Sequence, residues 1–539
     1  MSADEGTIMA SRLRRGTCVI ALAASVAVAL SGCIVLPPPI APGASGGPGP
    51  STPQAGQPLD FTPTGEDVEA ALAPYYTQDV DWTLCAGGMT CGTIDAPMDW
   101  FTPEDGRSIE VSLIVRPADG EVWGSMLYNP GGPGASGLDY VEQYGEYLVA
   151  PSVLEHYNLV GFDPRGVSRS TPITCYDDPR TLYDYLWEIP DDRPADPLSD
   201  EALQQQLDDA AAFGDACLQF TGEALEFMGT EQAASDMDLM RALLGEEQLQ
   251  YLGVSYGTLL GATYADLFPE HVGRFVLDAA VAPDATDADG TRFQAGGFEL
   301  ALRNWMADCL GSGDCPFTAG DVDGGMQQVG TLLSDLDASP LDASDGRRLG
   351  SSAMFTAIAA NLYAEQQWGT LRTVFADVLA GDPDSAFAQA DRYYGVNPDG
   401  TFADNSFEAL IGVNCLDAPA VTDFDEVRAN AAEIQQVAPT LWRQFSGMST
   451  CAAWPFAATR EPHVITAPGA EPIIVIGGLN DPATPYEQSV SLADQLESGV
   501  LITVDAEGHS QYNQGDACVD DPVNEYFLTG TAPTADLDC

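Results

Sequence analysis

One serine of the chain has neighbours that would expose its hydroxyl for nucleophilic attack. Residues 253–257 have the sequence Gly-Val-Ser-Tyr-Gly, preceded by an apolar pair and followed by a helix-compatible run, 258–267, that stops before Pro269. This order predicts a strand, a sharp turn and a helix, with Ser255 held in strained backbone between two glycines that leave room for the neighbouring chain. The pattern also occurs by chance, so its chemical meaning depends on the other groups.

A serine hydroxyl needs a base, which is usually a histidine oriented by a carboxylate. On such a turn the chain order is serine, acid, histidine. The sequence has four histidines. His156 precedes the serine. His271 lies where the helix after the serine turn is predicted to end, and it suits a capping or surface role. His463 precedes Asp481 and the strands predicted near the C-terminus, so it fits the order poorly. His509 follows the last predicted strand directly, after a glycine, and is the predicted base.

The acid should follow the strand before the histidine. Residues 472–477 form an apolar strand pattern, and Asp481 comes shortly after it, 28 residues before His509. That interval leaves space for one helix and one strand. Asp505 is the rival acid, because it lies just past the final strand, four residues before His509.

Backbone N–H groups must stabilise the oxyanion that forms during acyl transfer. One should come from Tyr256, directly after the nucleophile. The other should come from the glycine-rich loop 129–134, which follows an early strand. The two prolines of this loop have no N–H, so Gly131 or Gly132 must donate, and we favour Gly132.

The elements that position these groups alternate between strands and helices. Thr230 is the predicted N-cap of a helix over 231–244. The alternation predicts parallel βαβ units in an α/β core over 61–283, completed by 456–539. Between them, residues 284–455 look mainly helical and are expected to form a cap. The predicted strands are 109–115, 125–128, 158–162, 250–253, 275–278, 472–477 and 500–504.

The N-terminus is a targeting segment. Three arginines precede an apolar stretch, 18–30, that is too short to span a bilayer. The next residues, Leu30-Ser31-Gly32-Cys33, resemble the bacterial lipoprotein processing box. This resemblance implies removal of 1–32, lipidation of Cys33 and membrane attachment through the Pro-, Gly- and Ser-rich tether 33–60. A plain secretory signal is the alternative.

The composition narrows the partners. The net charge is −61, which predicts a surface that repels nucleic acid. Neither a phosphate-binding nor a dinucleotide fingerprint is evident, and the sequence has no C-x-x-C, so we expect no cofactor and no metal. Beyond Cys18 and Cys33, ten cysteines remain, an even number typical of exported proteins. We predict disulfides between sequential neighbours: Cys85 with Cys91, Cys175 with Cys217, Cys309 with Cys315, Cys415 with Cys451, and Cys518 with Cys539.

Four motifs in the same order resemble one family. They are Asn-Pro-Gly-Gly-Pro-Gly-Ala-Ser-Gly at 129–137, Gly-Phe-Asp-Pro-Arg-Gly at 161–166, the serine motif at 253–258, and Asp-Pro-Ala-Thr-Pro at 481–485. Together they are similar to the secreted tripeptidyl-aminopeptidase branch of the prolyl-aminopeptidase-like α/β-hydrolases, over roughly 80–539. Motif matching assigns Ser255, Asp481 and His509 as the triad. Pro130 replaces the histidine of the prolyl branch, as in the tripeptidyl branch. Arg165 is expected to pair with acids and brace the oxyanion loop.

The resemblance implies a serine exopeptidase that removes short peptides, in particular tripeptides, from free N-termini. Such an enzyme needs an anion for the substrate ammonium, and Asp417 of the cap is a candidate. Two alternatives stay open. One is a carboxylesterase or lipase with the same triad, because both reactions form an acyl-enzyme. The other is a non-catalytic, peptide-binding lipoprotein of the envelope. The oligomeric state is not indicated by the sequence.

Overall fold

A ten-stranded sheet forms the centre of the molecule in a computed structural model that describes residues 57–190 and 193–539. The strand order is β1-β2-β3-β5-β4-β6-β7-β10-β11-β12, and β8 and β9 form a separate two-stranded sheet. The strands are β1 (Thr83–Leu84), β2 (Thr90–Pro97), β3 (Ser108–Arg116), β4 (Gly124–Asn129), β5 (Tyr157–Phe162), β6 (Leu249–Val254), β7 (Val272–Asp278), β8 (Leu341–Asp342), β9 (Arg348–Leu349), β10 (Ile473–Asn480), β11 (Gly499–Glu507) and β12 (Leu537–Asp538).

The sheet is mostly parallel, as the alternation predicted. Strands β5, β4, β6, β7, β10, β11 and β12 pair in parallel, whereas β1, β2 and β3 add an antiparallel edge. Helices cover both faces, so the central strands are apolar throughout: β10 begins with the buried run 473–476. The fold class predicted from the sequence, an α/β-hydrolase fold, has this architecture.

Sixteen α-helices are present in the described part of the chain. They are α1 (Ala73–Tyr76), α2 (Gly137–Tyr144), α3 (Pro151–Leu154), α4 (Pro179–Trp187), α5 (Asp200–Thr221), α6 (Thr230–Leu243), α7 (Tyr256–Leu267), α8 (Asp287–Ser312), α9 (Val322–Ala338), α10 (Ser351–Leu362), α11 (Trp368–Leu379), α12 (Asp384–Tyr393), α13 (Ser406–Asp417), α14 (Phe424–Val437), α15 (Tyr486–Gln495) and α16 (Ala517–Thr529). Helices α6, α7 and α15 pack on one face of the sheet, and α2, α3 and α16 on the other.

The cap has its own apolar core. Helices α8 to α14 contribute to one large cluster of buried side chains, which includes Phe298 and Trp305 of α8. The same cluster contains side chains of α4 and α5, such as Phe213. The predicted first core segment, 61–283, therefore includes a stretch, 173–228, that packs with the cap. We call the body formed by 173–228 and 284–455 the cap from here on.

Five disulfides join the ten cysteines of the described residues. The pairs are Cys85–Cys91, Cys175–Cys217, Cys309–Cys315, Cys415–Cys451 and Cys518–Cys539. Such a set forms in an oxidising compartment, which indicates an exported protein. Within 57–190 and 193–539, no helix combines the length and apolarity needed to cross a membrane. The predicted signal segment 1–32, Cys33 and the tether up to residue 56 lie outside the described residues.

Candidate active site

Ser255 lies on a sharp turn between β6 and α7. Its backbone has φ 60° and ψ −126°, a region that side-chain-bearing residues rarely adopt. A Cβ on Gly253 would meet the Gly257 carbonyl oxygen at 2.4 Å, and one on Gly257 would meet the Asn129 carbonyl oxygen at 2.7 Å. Both glycines are therefore required for the turn to close against β4, and the turn presents Ser255 at the carboxyl edge of the sheet.

The serine is enclosed beneath the cap. Ser255 is 0% exposed, and its Oγ makes no hydrogen bond with any group in the described residues. A buried hydroxyl without a partner is uncommon in folded proteins, and a catalytic role is one explanation for it. The hydrogen bond from Oγ to a general base is thus not formed in this arrangement. Such bonds frequently tighten only when substrate is bound.

Asp481 and His509 are in direct contact. Their side chains are both 1% exposed, and His509 Nδ1 lies 2.9 Å and 2.8 Å from the two carboxylate oxygens of Asp481. Asp481 Oδ1 also accepts the N–H groups of Ala483 and Thr484, each at 2.9 Å. These donors fix the carboxylate, and the carboxylate fixes the imidazole with Nδ1 toward it and Nε2 on the opposite side of the ring.

A cap segment holds the histidine loop from above. Gly508 has φ +96°, and a Cβ there would meet the Tyr363 carbonyl oxygen at 2.8 Å. His509 N–H donates to the same carbonyl at 2.9 Å, and the Tyr363 ring stands edge-on to the imidazole with centroids 5.4 Å apart. The end of α10 therefore touches the predicted base directly.

Asp278 joins the serine turn to the histidine loop, a role that sequence reasoning missed. Its carbonyl oxygen accepts the Ser255 N–H at 2.9 Å. Its carboxylate accepts the Ser510 hydroxyl at 2.8 Å and the N–H groups of Gln511 and Tyr512 at 2.9 Å and 2.8 Å. Burial raises the pKa of Asp278, and these donors oppose the rise. A polar residue ending a buried strand beside the nucleophile strand was the available signal.

The predicted oxyanion loop lies against the serine turn. A Cβ on Gly131 would come within 2.9 Å of Ser255 Cβ and 3.1 Å of the Tyr256 nitrogen. The Gly131 N–H donates to Asn129 Oδ1 at 2.9 Å, so it is already engaged. Gly132 and Tyr256 therefore remain the predicted pair of donors.

Asp163, and not Arg165, braces the oxyanion loop. Asp163 Oδ1 accepts the Ser136 hydroxyl at 2.5 Å, directly after the loop. Arg165 is fully buried and binds Asp236 through two nitrogens at 2.8 Å and 2.6 Å. It does pair with an acid, but it fastens α6 to the end of β2 through the carbonyl oxygens of residues 97 and 98.

The other candidate residues lie apart from the serine. Asp505 is exposed within β11, whereas the carboxylate bonded to His509 Nδ1 is that of Asp481. His156 stacks on Trp123 with centroids 3.6 Å apart. His271 Nδ1 lies 2.7 Å from Asp238, and His463 Nε2 lies 3.1 Å from Asp266. Each has a structural partner of its own.

Asp417 is buried at the end of α13, 5% exposed. Its two carboxylate oxygens accept the N–H and the hydroxyl of Thr230, at 2.8 Å and 2.5 Å. Thr230 was predicted to cap α6, but it is the first residue of that helix, with Gly229 at the N-cap position. Asp417, which is distant in the sequence, therefore caps the N-terminus of α6, a position where a carboxylate is favourable.

Two family models match the chain. One, described as alpha/beta hydrolase fold, matches residues 124–328, and the other, described as TAP-like protein, matches residues 439–539. The first match contains Ser255 and the oxyanion loop, and the second contains Asp481 and His509. The described residues contain no cluster of histidine, cysteine and acidic side chains suited to a metal ion.

Curated relatives match over nearly the whole length. Serine protease Hip1 of Mycobacterium tuberculosis is 34% identical over 545 residues, 98% of each chain. Tripeptidyl aminopeptidase of Streptomyces lividans is 31% identical over 510 residues, 90% of each chain. Carboxylesterase B of Mycobacterium tuberculosis is 35% identical over 458 residues, 83% of this chain and 86% of the relative.

Proposed function

The chain belongs to the α/β-hydrolase family that includes the TAP-like serine peptidases, and on that premise we propose that it is a serine exopeptidase. It releases short peptides, in particular tripeptides, from the free N-termini of peptide substrates. The observation that supports this proposal most directly is the Asp481–His509 contact at the sheet edge where Ser255 stands on its strained turn. The peptidase names of the relatives support the choice of an amide substrate.

The reaction begins at Ser255. Its Oγ attacks the scissile carbonyl carbon while His509 Nε2 takes the hydroxyl proton, and Asp481 stabilises the imidazolium through Nδ1. The carbonyl oxygen becomes an oxyanion, which the N–H groups of Tyr256 and Gly132 stabilise. The C–N bond then breaks and His509 gives its proton to the departing amine. Water attacks the acyl-enzyme by the same route, releasing the peptide acid and restoring Ser255.

Enclosure by the cap supports exopeptidase action. Ser255 and the acid–histidine pair are buried, and Tyr363 of the cap contacts His509, so a folded protein chain cannot lie across the site. Substrates enter by one end, after movement of the cap. Exopeptidase action requires a site closed at one end, which would exclude long segments on the N-terminal side of the cleaved bond, and the acidic molecular charge attracts peptide ammonium groups.

A carboxylesterase is the second candidate, because one relative carries that name at 35% identity. The acyl-enzyme chemistry is common to both reactions. The two differ in what the site outside the triad recognises, namely a free ammonium and a peptide backbone or an acyl chain.

A substrate panel separates the two. Mono-, di- and tripeptide anilides with free and acetylated N-termini are compared with short acyl esters, using wild type and Ser255→Ala. We expect the highest kcat/KM on free tripeptides, with turnover lost in the variant. Activity confined to esters and blocked peptides would reject the aminopeptidase assignment. Undiminished turnover by Ser255→Ala would reject the serine mechanism.

Attachment to the outer face of the cell membrane through lipidated Cys33 is part of the proposal. The processing box at 30–33 and the tether that follows it support this placement. A Cys33→Ala variant should appear in the medium, and wild type in the membrane fraction. Membrane retention of the variant would instead favour another form of attachment, and release of wild type would favour a plain secretory signal.

A further inference from the structure

We infer that Asp417 is a positioning residue for the oxyanion hole, acting through Thr230 and Tyr256, and that it is not the receptor for the substrate ammonium. The inference rests on the proposed acyl-transfer chemistry. It assigns to one carboxylate of the cap a defined effect on a backbone donor in the core.

Three polar groups form a continuous chain from the cap to the serine turn. Asp417 Oδ2 lies 2.5 Å from Thr230 Oγ1, which in turn lies 2.5 Å from the Tyr256 hydroxyl. Thr230 is 0% exposed, Tyr256 is 6% exposed, and Asp417 is 5% exposed, so water does not compete for these bonds. The chain links α13, α6 and α7.

The direction of the hydrogen bonds follows from the proton count. A carboxylate only accepts, so the single hydroxyl proton of Thr230 goes to Asp417. Thr230 Oγ1 must then accept from the Tyr256 hydroxyl. Consecutive bonds of this kind polarise and strengthen one another in a buried site.

Tyr256 links Asp417 to the oxyanion hole because its backbone and its side chain each have a role. Its N–H is the predicted oxyanion donor directly after Ser255, and its phenol oxygen is the first donor of the chain to Asp417. A tyrosine side chain has only two rotatable bonds before its ring, so fixing the hydroxyl end restricts the orientation of the Cα and of the N–H. Oxyanion stabilisation depends on donors held in place before charge develops.

The same contacts exclude Asp417 as the ammonium receptor. Both carboxylate oxygens are bonded to Thr230, and the side chain is enclosed between α13 and the start of α6. A substrate ammonium would have to displace the bonds that cap α6. The Asp417 carboxylate therefore has no oxygen left for a substrate ammonium unless its bonds to Thr230 break.

The experiment compares Asp417→Asn, Tyr256→Phe and the double variant on a free tripeptide anilide and on a short ester. Tyr256→Phe removes one oxygen and leaves the N–H in place. We expect each single variant to lower kcat about 10- to 100-fold on both substrates, with KM within about twofold of wild type. The double variant should be no slower than the slower single variant, since both break one chain.

Matched controls distinguish positioning from general loss of structure. Glu408→Gln alters another buried carboxylate of α13, one that accepts the Cys175 N–H and has no bond to Thr230 or Tyr256 among the hydrogen bonds described, and should leave kcat unchanged. Thr230→Ser keeps the hydroxyl and should restore most of the kcat that Thr230→Val loses.

Three outcomes would overturn the inference. A raised KM for the free tripeptide with unchanged ester turnover would identify Asp417 as the ammonium receptor after all. Full kcat in Tyr256→Phe would show that the phenol transmits nothing. Additive losses in the double variant would mean separate roles. If wild type hydrolysed neither substrate, the proposed function would itself be rejected, which is distinguishable from all three.

Discussion

Two buried carboxylates, Asp238 in the core and Glu408 in the cap, have different surroundings. Asp238 of α6 lies among Arg241, His271 and two tyrosine hydroxyls, and these partners hold its pKa at about 2 against the cost of burial. Glu408 of α13 has only backbone N–H donors, and burial raises its pKa to about 7. Asp238 is thus held as an anion by paired positive charge, whereas Glu408 favours its neutral form below about pH 7.

The core and the cap also have different roles in the proposed reaction. Reaction groups in the core must keep one geometry. Asp481 is fixed by the backbone N–H groups that follow it, Ser255 bonds to Asp278 of the neighbouring strand, and His509 bonds to Tyr363 of the cap. The cap must cover the site and also admit substrate, and it packs around its own apolar cluster, with three disulfides inside it. A catalytic core under a separately packed cover is an arrangement suited to gated catalysis.

The largest expected effect is on the core side. Asp481→Asn should lower kcat about 10⁴-fold, because the amide favours the wrong imidazole tautomer. The fold should persist, as judged by circular dichroism. Asp505→Asn is the matched control and should have full activity; the reverse pattern would make Asp505 the orienting acid.

The next effect concerns the stability of the cap alone. Trp305→Ala removes a 0% exposed side chain from the cap cluster and should cost about 3 to 5 kcal/mol. Hydrogen exchange should show the loss in α8 to α11 while β6 keeps its protection. Equal loss of protection in β6 would show that core and cap unfold as one unit, which would break the comparison.

The pH dependence should have opposite signs in the two regions. The pKa of Glu408 is raised in the folded state, so the cap loses stability as pH rises from about 4.5 to 7, by about 3 kcal/mol. The lowered pKa of Asp238 stabilises the core above about 4, and this contribution of about 2 kcal/mol is lost as pH falls toward 2. Exchange rates at α13 and α6 measured across pH report both. Glu408→Gln should flatten the response of α13, and increasing α13 protection with pH would contradict the comparison.

The smallest expected effect concerns Asp278, which bonds to both the serine turn and the histidine loop. Asp278→Asn places an amide N–H₂ among three donors and should lower kcat about 10- to 50-fold with little change in KM. Ser510→Ala removes one of the same bonds and should cost less. An unchanged kcat in Asp278→Asn would show that the loop 510–512 is held by other contacts.

Local pattern and chain order were sufficient to anticipate much of this arrangement. The strands predicted at 125–128 and 250–253 occur as β4 and β6, each extended by a residue or two. The order of strands placed Asp481 and His509 at adjoining strand ends, where they are in contact. These features depend on short segments whose apolar spacing and glycines are visible in the sequence.

Long-range contacts between segments without a pattern could not be anticipated. Asp278 contacts a loop 232 residues away, and nothing in the spacing indicates its partner. Thr230 was expected to cap its own helix, yet a carboxylate 187 residues later performs that task. Helices α4 and α5 precede the serine in the sequence but pack with the cap.

The burial of Ser255 also offers a way to measure how fast the cap opens. A covalent phosphonate that is too large to fit beneath the cap must wait for an opening before it meets Ser255 Oγ, which is 0% exposed at rest. Its inactivation rate should therefore rise with reagent concentration and then level off. The limiting inactivation rate would equal the rate at which the cap opens, so an inhibitor titration would measure that opening rate.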